Sequence, residues 1–286
     1  MPNAPPEAFL KKDRKERWTN FSVLRHGAFD GFFISSKNSG THWMLYMFSV
    51  ALAETYGIPR PVYFSENATR PYIGFATDAP VFEQLPRLGK SHSIPHQLAN
   101  WAWARKLVKL PPYVLCVRHP MGILASHYAK WQDDIQVSWL EYLRGDPAGK
   151  RFRCDPYWIA RFWNRWGELS AAFPGGVKVL HYEATQANPR AALEAMAQHW
   201  GVTLTREAIT AALEAGTKEA MAKRIDPAAE PNVLQNRRET LDELFTGEAM
   251  EIYAERMRDL VRHDLGYDLL SPPVSDTRSN ARQARS

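Results

Sequence analysis

Three short apolar runs stand out along an otherwise mixed chain: Gly31-Phe32-Phe33-Ile34, Tyr113 to Val117, and Val177-Lys178-Val179-Leu180. Runs of four or five residues, rich in aromatic and β-branched side chains, predict buried strands. Each is followed by a loop and then a helical pattern. The spacing predicts a helix from about Gly40 to Tyr56, and a second from Pro120 to about Trp131 with its proline near the first turn. A third starts after Asn188-Pro189 and reaches about Trp200. From about residue 205 to 265 the pattern is mainly helical, and its last strong helix runs from near Gly247 to about His263. Strands alternating with helices predict an α/β fold of three layers, a parallel sheet flanked by helices on both faces. Ligands of such sheets bind beyond the carboxyl ends of the strands, so the loops after the strands are where chemistry is expected.

Composition bounds the picture further. With 286 residues, 45% of them hydrophobic, the chain can bury a sizeable core, and we expect one domain over 21–270. Residues 1–20 read as a polar arm, and 271–286 (SPPVSDTRSNARQARS) as a disordered tail. The net charge of +5 is too mild to demand a nucleic-acid partner. The basic runs lie at the ends, Lys11 to Arg17 and Arg278 to Arg285, and read as solvated. Cys116 sits in an apolar run as a buried thiol, and with Cys154 it forms no disulfide framework. The N-terminus has no apolar core of a signal peptide, and no stretch of about 18 apolar residues predicts a transmembrane span. A cytoplasmic location follows. No His/Cys/Asp cluster has metal-ligand spacing, so no metal is expected.

Three loops carry candidate chemistry. In Ser35-Ser36-Lys37-Asn38-Ser39-Gly40-Thr41-His42-Trp43, small residues, a glycine and hydroxyls precede a helix, which suits an anion cradle of backbone N–H groups. Taken alone, it is equally a plain strand-to-helix turn. No Lys follows the Gly, so it is not a Walker A loop. In Lys90-Ser91-His92, alternation puts the Lys and His side chains on one side of an extended segment, although an isolated His is more often structural. In the third, Arg118 ends a predicted strand and Ser126 lies eight residues on, inside the next helix. That pair suits a phosphate, and the Arg alone equally suits a structural ion pair.

In this order, Ser-Gly-Thr-His-Trp at 39–43, Lys-Ser-His at 90–92, and Arg118-His119-Pro120 with Ser126 resemble the cytosolic sulfotransferase family. Val179-Leu180-His181-Tyr182-Glu183 resembles that family's late strand and its Tyr-Glu pair. The resemblance spans most of 30–265 and implies a P-loop NTPase-like sulfotransferase fold. It also implies a donor, 3′-phosphoadenosine 5′-phosphosulfate (PAPS), whose product is 3′,5′-ADP (PAP). By the same resemblance Thr41, His42 and the backbone of Lys37, Asn38, Ser39 and Gly40 hold the 5′-phosphosulfate. Trp43 stacks on adenine, Arg118 and Ser126 hold the 3′-phosphate, and Tyr182 belongs to the donor site. His92 is the implied base and Lys90 a helper cation.

Three departures from the family pattern bear on these roles. Lys37 stands three residues before Gly40, where the family's Lys stands two before, and Asn38 fills that slot. We expect a bulge at Asn38 that swings Lys37 back over the anion. Lys218 stands where the family has a second, adenine-sandwiching Phe. The family's C-terminal Arg-Lys-Gly loop is absent as such, and Arg237-Arg238 is the nearest substitute for its phosphate grip.

The resemblance leaves the acceptor open: a hydroxyl or amine of a sugar, lipid or other small molecule. Aromatics in 61–88 and 131–166 are candidate pocket walls, against the more common reading that they are core. Two alternatives to sulfuryl transfer are a P-loop-type kinase, which needs a Gly-Lys that Gly40-Thr41 lacks, and a non-catalytic nucleotide-binding module, which does not need Lys90 and His92 together.

Overall fold

In the computed structural model, residues 3–227 and 239–273 are described. Five parallel strands, β1 (Gly31–Ser35), β2 (Ile73–Gly74), β3 (Leu88–Ser91), β4 (Tyr113–Val117) and β5 (Val177–His181), form one sheet in the order β2-β3-β1-β4-β5. The seven longest helices among the described residues are α1 (Glu7–Thr19), α2 (Thr41–Tyr56), α3 (Pro120–Ile135), α4 (Pro156–Ala172), α5 (Pro189–Trp200), α6 (Arg206–Ala215) and α7 (Gly247–Leu260). All three strands expected from the apolar runs are present.

Side-chain alternation along the strands divides the core in two. Phe32, Ile34, Tyr113, Leu115 and Val117 point to one face, where they pack with α3, α4 and α7. Phe33, Val114 and Cys116 point to the other, against α2, α5 and α6. The result is a three-layer α/β fold, a parallel sheet with helices on both faces.

Two differences from the expected elements have clear causes. β3 escapes the apolar-run criterion because Leu88-Gly89-Lys90-Ser91 carries a charge and no β-branched residue, yet its Leu88, Gly89 and Lys90 are buried beside β1. The expected end of α3 at Trp131 is a real kink, with φ −118° and ψ 19°, after which the helix resumes to Ile135.

The N-terminal segment is no solvated arm. α1 docks through Phe9, which is 1% exposed and lies 5.5 Å from the ring of Tyr157. Arg17 forks onto Glu168 at 3.0 and 3.1 Å, and Glu16 meets the buried Arg161 at 3.0 Å. The polar pattern of α1 conceals this because its inward face is charged and finds partners on α4.

Two buried histidines make the fold acid-sensitive. His26 stacks on Phe32 at 3.6 Å, and its burial pushes its pKa down to about 3. His127, bonded to the Tyr142 hydroxyl at 3.1 Å, is likewise pushed to about 3 by burial, helped by nearby cations including Lys37. Both are neutral when folded and take up a proton near pH ~6.5 when unfolded. Below that pH the unfolded state binds more protons, and stability falls by about 1.4 kcal/mol per pH unit for each histidine until the folded pKa is reached. The buried Asp155, raised to about 6, works in the opposite sense. We therefore expect denaturant unfolding of His26→Gln to show a shallower loss of stability between pH 7 and 5 than the unaltered protein, by about 2 kcal/mol. Equal slopes would mean that His26 titrates alike in the folded and unfolded states.

Candidate active site

Strand register gathers the candidate loops at one edge of the sheet. Ile34 lies beside Ser91, Ser35 beside Cys116, and Val117 beside His181. Loop 36–40, His92, Arg118 and Tyr182 therefore leave four adjacent strands at the same level.

The loop after β1 is pinned and then turned. The Ser36 amide donates to the Cys116 carbonyl at 3.0 Å. Asn38 (φ 55°) and Gly40 (φ 73°) are both left-handed, and Asn38 takes that conformation more readily than most residues with a side chain. Gly40 is the N-cap of α2 and supplies no capping side chain. The first N–H groups of α2 are thus presented at the positive end of a 16-residue helix, an arrangement suited to an anion. Glycine is also demanded sterically, since a Cβ there would stand 2.5 Å from the ring of Tyr182.

Tyr182 in turn supports Arg118, whose guanidinium lies 4.7 Å over the phenol ring. Arg118 Nη1 donates to the Asn38 carbonyl at 2.9 Å and to Ser126 Oγ at 3.0 Å. Gly122 makes room for this pose, since a Cβ there would come within 2.7 Å of Arg118 Nε. Asn38, Gly40, Arg118, Ser126 and Tyr182 therefore form one group. Behind it, Glu183 accepts from the His119 amide at 3.1 Å and from the Tyr267 hydroxyl at 2.5 Å, locking the β4 and β5 loops together.

A second group forms around His92. Its Nδ1 lies 2.7 Å from the Ser35 carbonyl. A carbonyl can only accept, so Nδ1 carries the proton and Nε2 keeps its lone pair. Ser35 Oγ is also 2.7 Å from Thr41 Oγ1, which ties the His92 anchor to the first turn of α2. The imidazole is open to solvent but set among protein, and desolvation lowers its pKa, with Ser35 opposing and Lys37 adding to the fall. It is neutral at pH 7.

Four of the expected site side chains have the following surroundings. Lys90 is 4% exposed, lies 5.0 Å over the Phe75 ring and pairs with Glu66 at 3.0 Å, so its charge is already engaged. His42 stands near Glu66, Lys90, Lys130 and His92, and desolvation lowers its pKa to about 4. It stands in the His92 group, which Ser35 joins to Thr41. Lys37 follows the left turn at Asn38 outward: its ammonium donates to the Arg153 carbonyl and lies 4.8 Å over the Trp158 ring. Burial lowers its pKa. Trp43 is half-buried, and its Nε1 donates to the Gly216 carbonyl at 2.9 Å, beside the short helix Lys218–Ala222 on which Lys218 is exposed. Arg237 and Arg238 lie outside the described residues.

Of the candidate wall aromatics, Trp163, Trp166, Phe64 and Tyr72 are core. Phe75 and Trp158 remain near the site, under Lys90 and Lys37. The sequence reading missed Ser35 and Glu66. Ser35 acts through its carbonyl, which no side-chain pattern reports. Glu66 lies 24 residues from Lys90, and only the fold joins them.

Among the described residues no helix is long and apolar enough to cross a membrane. Solved structures share the fold. A mouse sulfotransferase complexed with PAP is 14% identical, with 91% of this chain and 93% of that chain covered at a TM-score of 0.51. A retinol dehydratase in complex with androsterone and inactive cofactor PAP is also 14% identical, with 90% and 88% covered at 0.53. Among curated proteins none matches the sequence. The sulfotransferase domain profile matches residues 30–240, most of the chain and every strand, and the protein therefore belongs to the sulfotransferase domain family.

Proposed function

We propose that the protein transfers a sulfuryl group from PAPS to a hydroxyl or amine of a small-molecule, sugar or lipid acceptor in the cytoplasm, with His92 as base. The observation that carries this reading is the bond from Nδ1–H of His92 to the Ser35 carbonyl. It aims a free Nε2 from the residue that also anchors Thr41 at the anion-receptive start of α2.

The donor's two charged ends fit the chain's own groups. The uncapped N-terminus of α2 with Ser39 and Thr41 suits the 5′-phosphosulfate. Arg118, using only Nη1 for its bonds to Asn38 and Ser126, has Nη2 and Nε left for the 3′-phosphate. In the reaction the acceptor oxygen attacks sulfur, and its proton passes to His92 Nε2. The bond from sulfur to the 5′-phosphate oxygen breaks, and its electron pair leaves with PAP. Sulfuryl transfer resembles phosphoryl transfer, so stabilising charge on the departing oxygen is the main task. The mouse relative was crystallised with PAP, and the retinol dehydratase with androsterone and PAP, which supports a nucleotide donor and a small hydrophobic acceptor.

Thermal melting with ligands tests the donor. PAP should raise the melting temperature and Mg-ATP should not, and the reverse result would favour a kinase. Arg118→Ala should weaken PAP binding about 10–100-fold in calorimetry, the effect of losing about 1.5–3 kcal/mol of charge-assisted bonding. Unchanged affinity would remove Arg118 from the donor site. Incubation with ³⁵S-labelled PAPS and an acceptor library then identifies the acceptor class.

A further inference from the structure

The surface formed by α1, Phe21 and the segment 96–109 carries four exposed aromatic side chains linked by ring contacts with one another and with His96. Trp18 lies 6.1 Å from Trp101, and Trp101 stacks on Trp103 at 5.7 Å. Phe21 stacks on His96 at 4.6 Å, and Trp18 meets the same imidazole edge-on. Trp103 is 61% exposed, and Leu107, one turn further along the short helix Ala102–Val108, is 77% exposed. Monomeric proteins seldom expose so much contiguous aromatic surface without a partner.

The exposed charges nearest these rings are basic, and the acidic Glu168 that borders them is paired with Arg17. On α1, Lys11, Arg14, Lys15 and Trp18 recur at i, i+3, i+4 and i+7, and all four are exposed. The acids of the same helix turn inward, Asp13 to Arg17 and Glu16 to Arg161. Glu7 at its start is the one exposed acid of α1. Lys106 is exposed between Trp103 and Leu107, and no acidic residue occurs in the sequence between Glu83 and Asp133. Indole rings interleaved with lysine and arginine match the boundary of an anionic bilayer, where the rings sit at headgroup level and the cations meet lipid phosphate and carboxylate.

We propose that this surface is a peripheral docking site for an anionic membrane, independent of the sulfuryl-transfer chemistry. The rings pack against one another and the protein, so they offer a patch to insert at an interface rather than separate platforms for unstacked bases. The same patch is joined to the site: only three residues, Ser93 to Pro95, separate His92 from His96. Docking would bring the site to a membrane-borne acceptor.

Vesicle sedimentation of the full chain is the test. We compare phosphatidylcholine vesicles with vesicles containing about 30% phosphatidylserine, at low and physiological salt. Binding should require phosphatidylserine and weaken with salt. Arg14→Glu with Lys15→Glu should reduce partitioning about tenfold or more. Trp18→Ser with Trp103→Ser should reduce it at both salt concentrations. Both side-chain pairs are exposed, and each variant is to be checked for unchanged melting temperature and PAP binding. Equal sedimentation of the variants, or none of the parent protein with anionic vesicles, overturns the proposal. So does retention of single-stranded nucleic acid through the same residues without vesicle binding, or a dimer that these substitutions dissolve.

Discussion

His92→Ala should lower kcat by about 10²–10⁴-fold, the usual range for loss of a positioned general base, while PAP affinity stays within about threefold. The split follows from the geometry. The imidazole is fixed through Nδ1 on the Ser35 carbonyl, and Nε2 is left unprotonated. Desolvation holds its pKa below the ordinary histidine value. A base with a lowered pKa stays competent to lower pH, so the acid limb of kcat/KM should lie below pH ~6.5 in the parent protein. It should be absent from the residual activity of the variant. In the proposed site the donor is held by α2, Arg118 and Ser126, and none of these is bonded directly to the His92 side chain. Single-turnover transfer with saturating ³⁵S-labelled PAPS separates the two quantities. A variant that loses PAP binding in step with kcat would show that His92 shapes the donor site and is no base.

The candidate site was legible where it rests on side chains spaced along one chain segment. Arg118 and Ser126 are eight residues apart on a strand end and the following helix, and the fold brings them to 3.0 Å. Gly40 could be read as the turn into a helix, and its Cβ space is filled by Tyr182. Legibility ended where the fold, not the spacing, chooses a partner. Lys90 and His92 do leave the same stretch of chain, but a lysine 4% exposed in the middle layer needs a counter-charge, and Glu66 supplies it. The neighbours of His42, Glu66 on one side and Lys90 with His92 on the other, come from separate segments of the chain, and only the fold brings them to the helix start. The strand β3 was hidden because burial on a parallel sheet does not require an apolar residue at every position. The helix α1 was hidden because a charged face was read as a solvated one.

Lys37→Ala should lower kcat by about 10²-fold or more and change PAP affinity much less. Asn38 takes the left-handed turn expected of the extra loop residue, but the turn sends the Lys37 ammonium to the Arg153 carbonyl above Trp158. That resting place is electrostatically thin. Burial lowers the pKa of Lys37, and the neighbouring charges of Arg153 and Arg161 add to the fall, against Cys154 and Asp155. A desolvated cation held by one carbonyl gains strongly from an incoming phosphosulfate. Lys37 also lies near enough to His92 to depress its pKa. Lys90 is the rival for this role, but moving it to the leaving oxygen would break its pair with Glu66 and strand a buried charge. Under the proposed mechanism, the developing charge on the departing oxygen is therefore assigned to Lys37 and the N–H groups of α2. Because that charge grows only as the bond breaks, removing Lys37 acts on kcat, while the ground-state donor keeps Arg118 and the helix start. Glu66→Gln separates the rivals: it unpairs Lys90 while leaving Lys37 in place. Near-normal kcat in Lys37→Ala, with loss of turnover in Lys90→Ala exceeding that in Glu66→Gln, would assign the leaving group to Lys90.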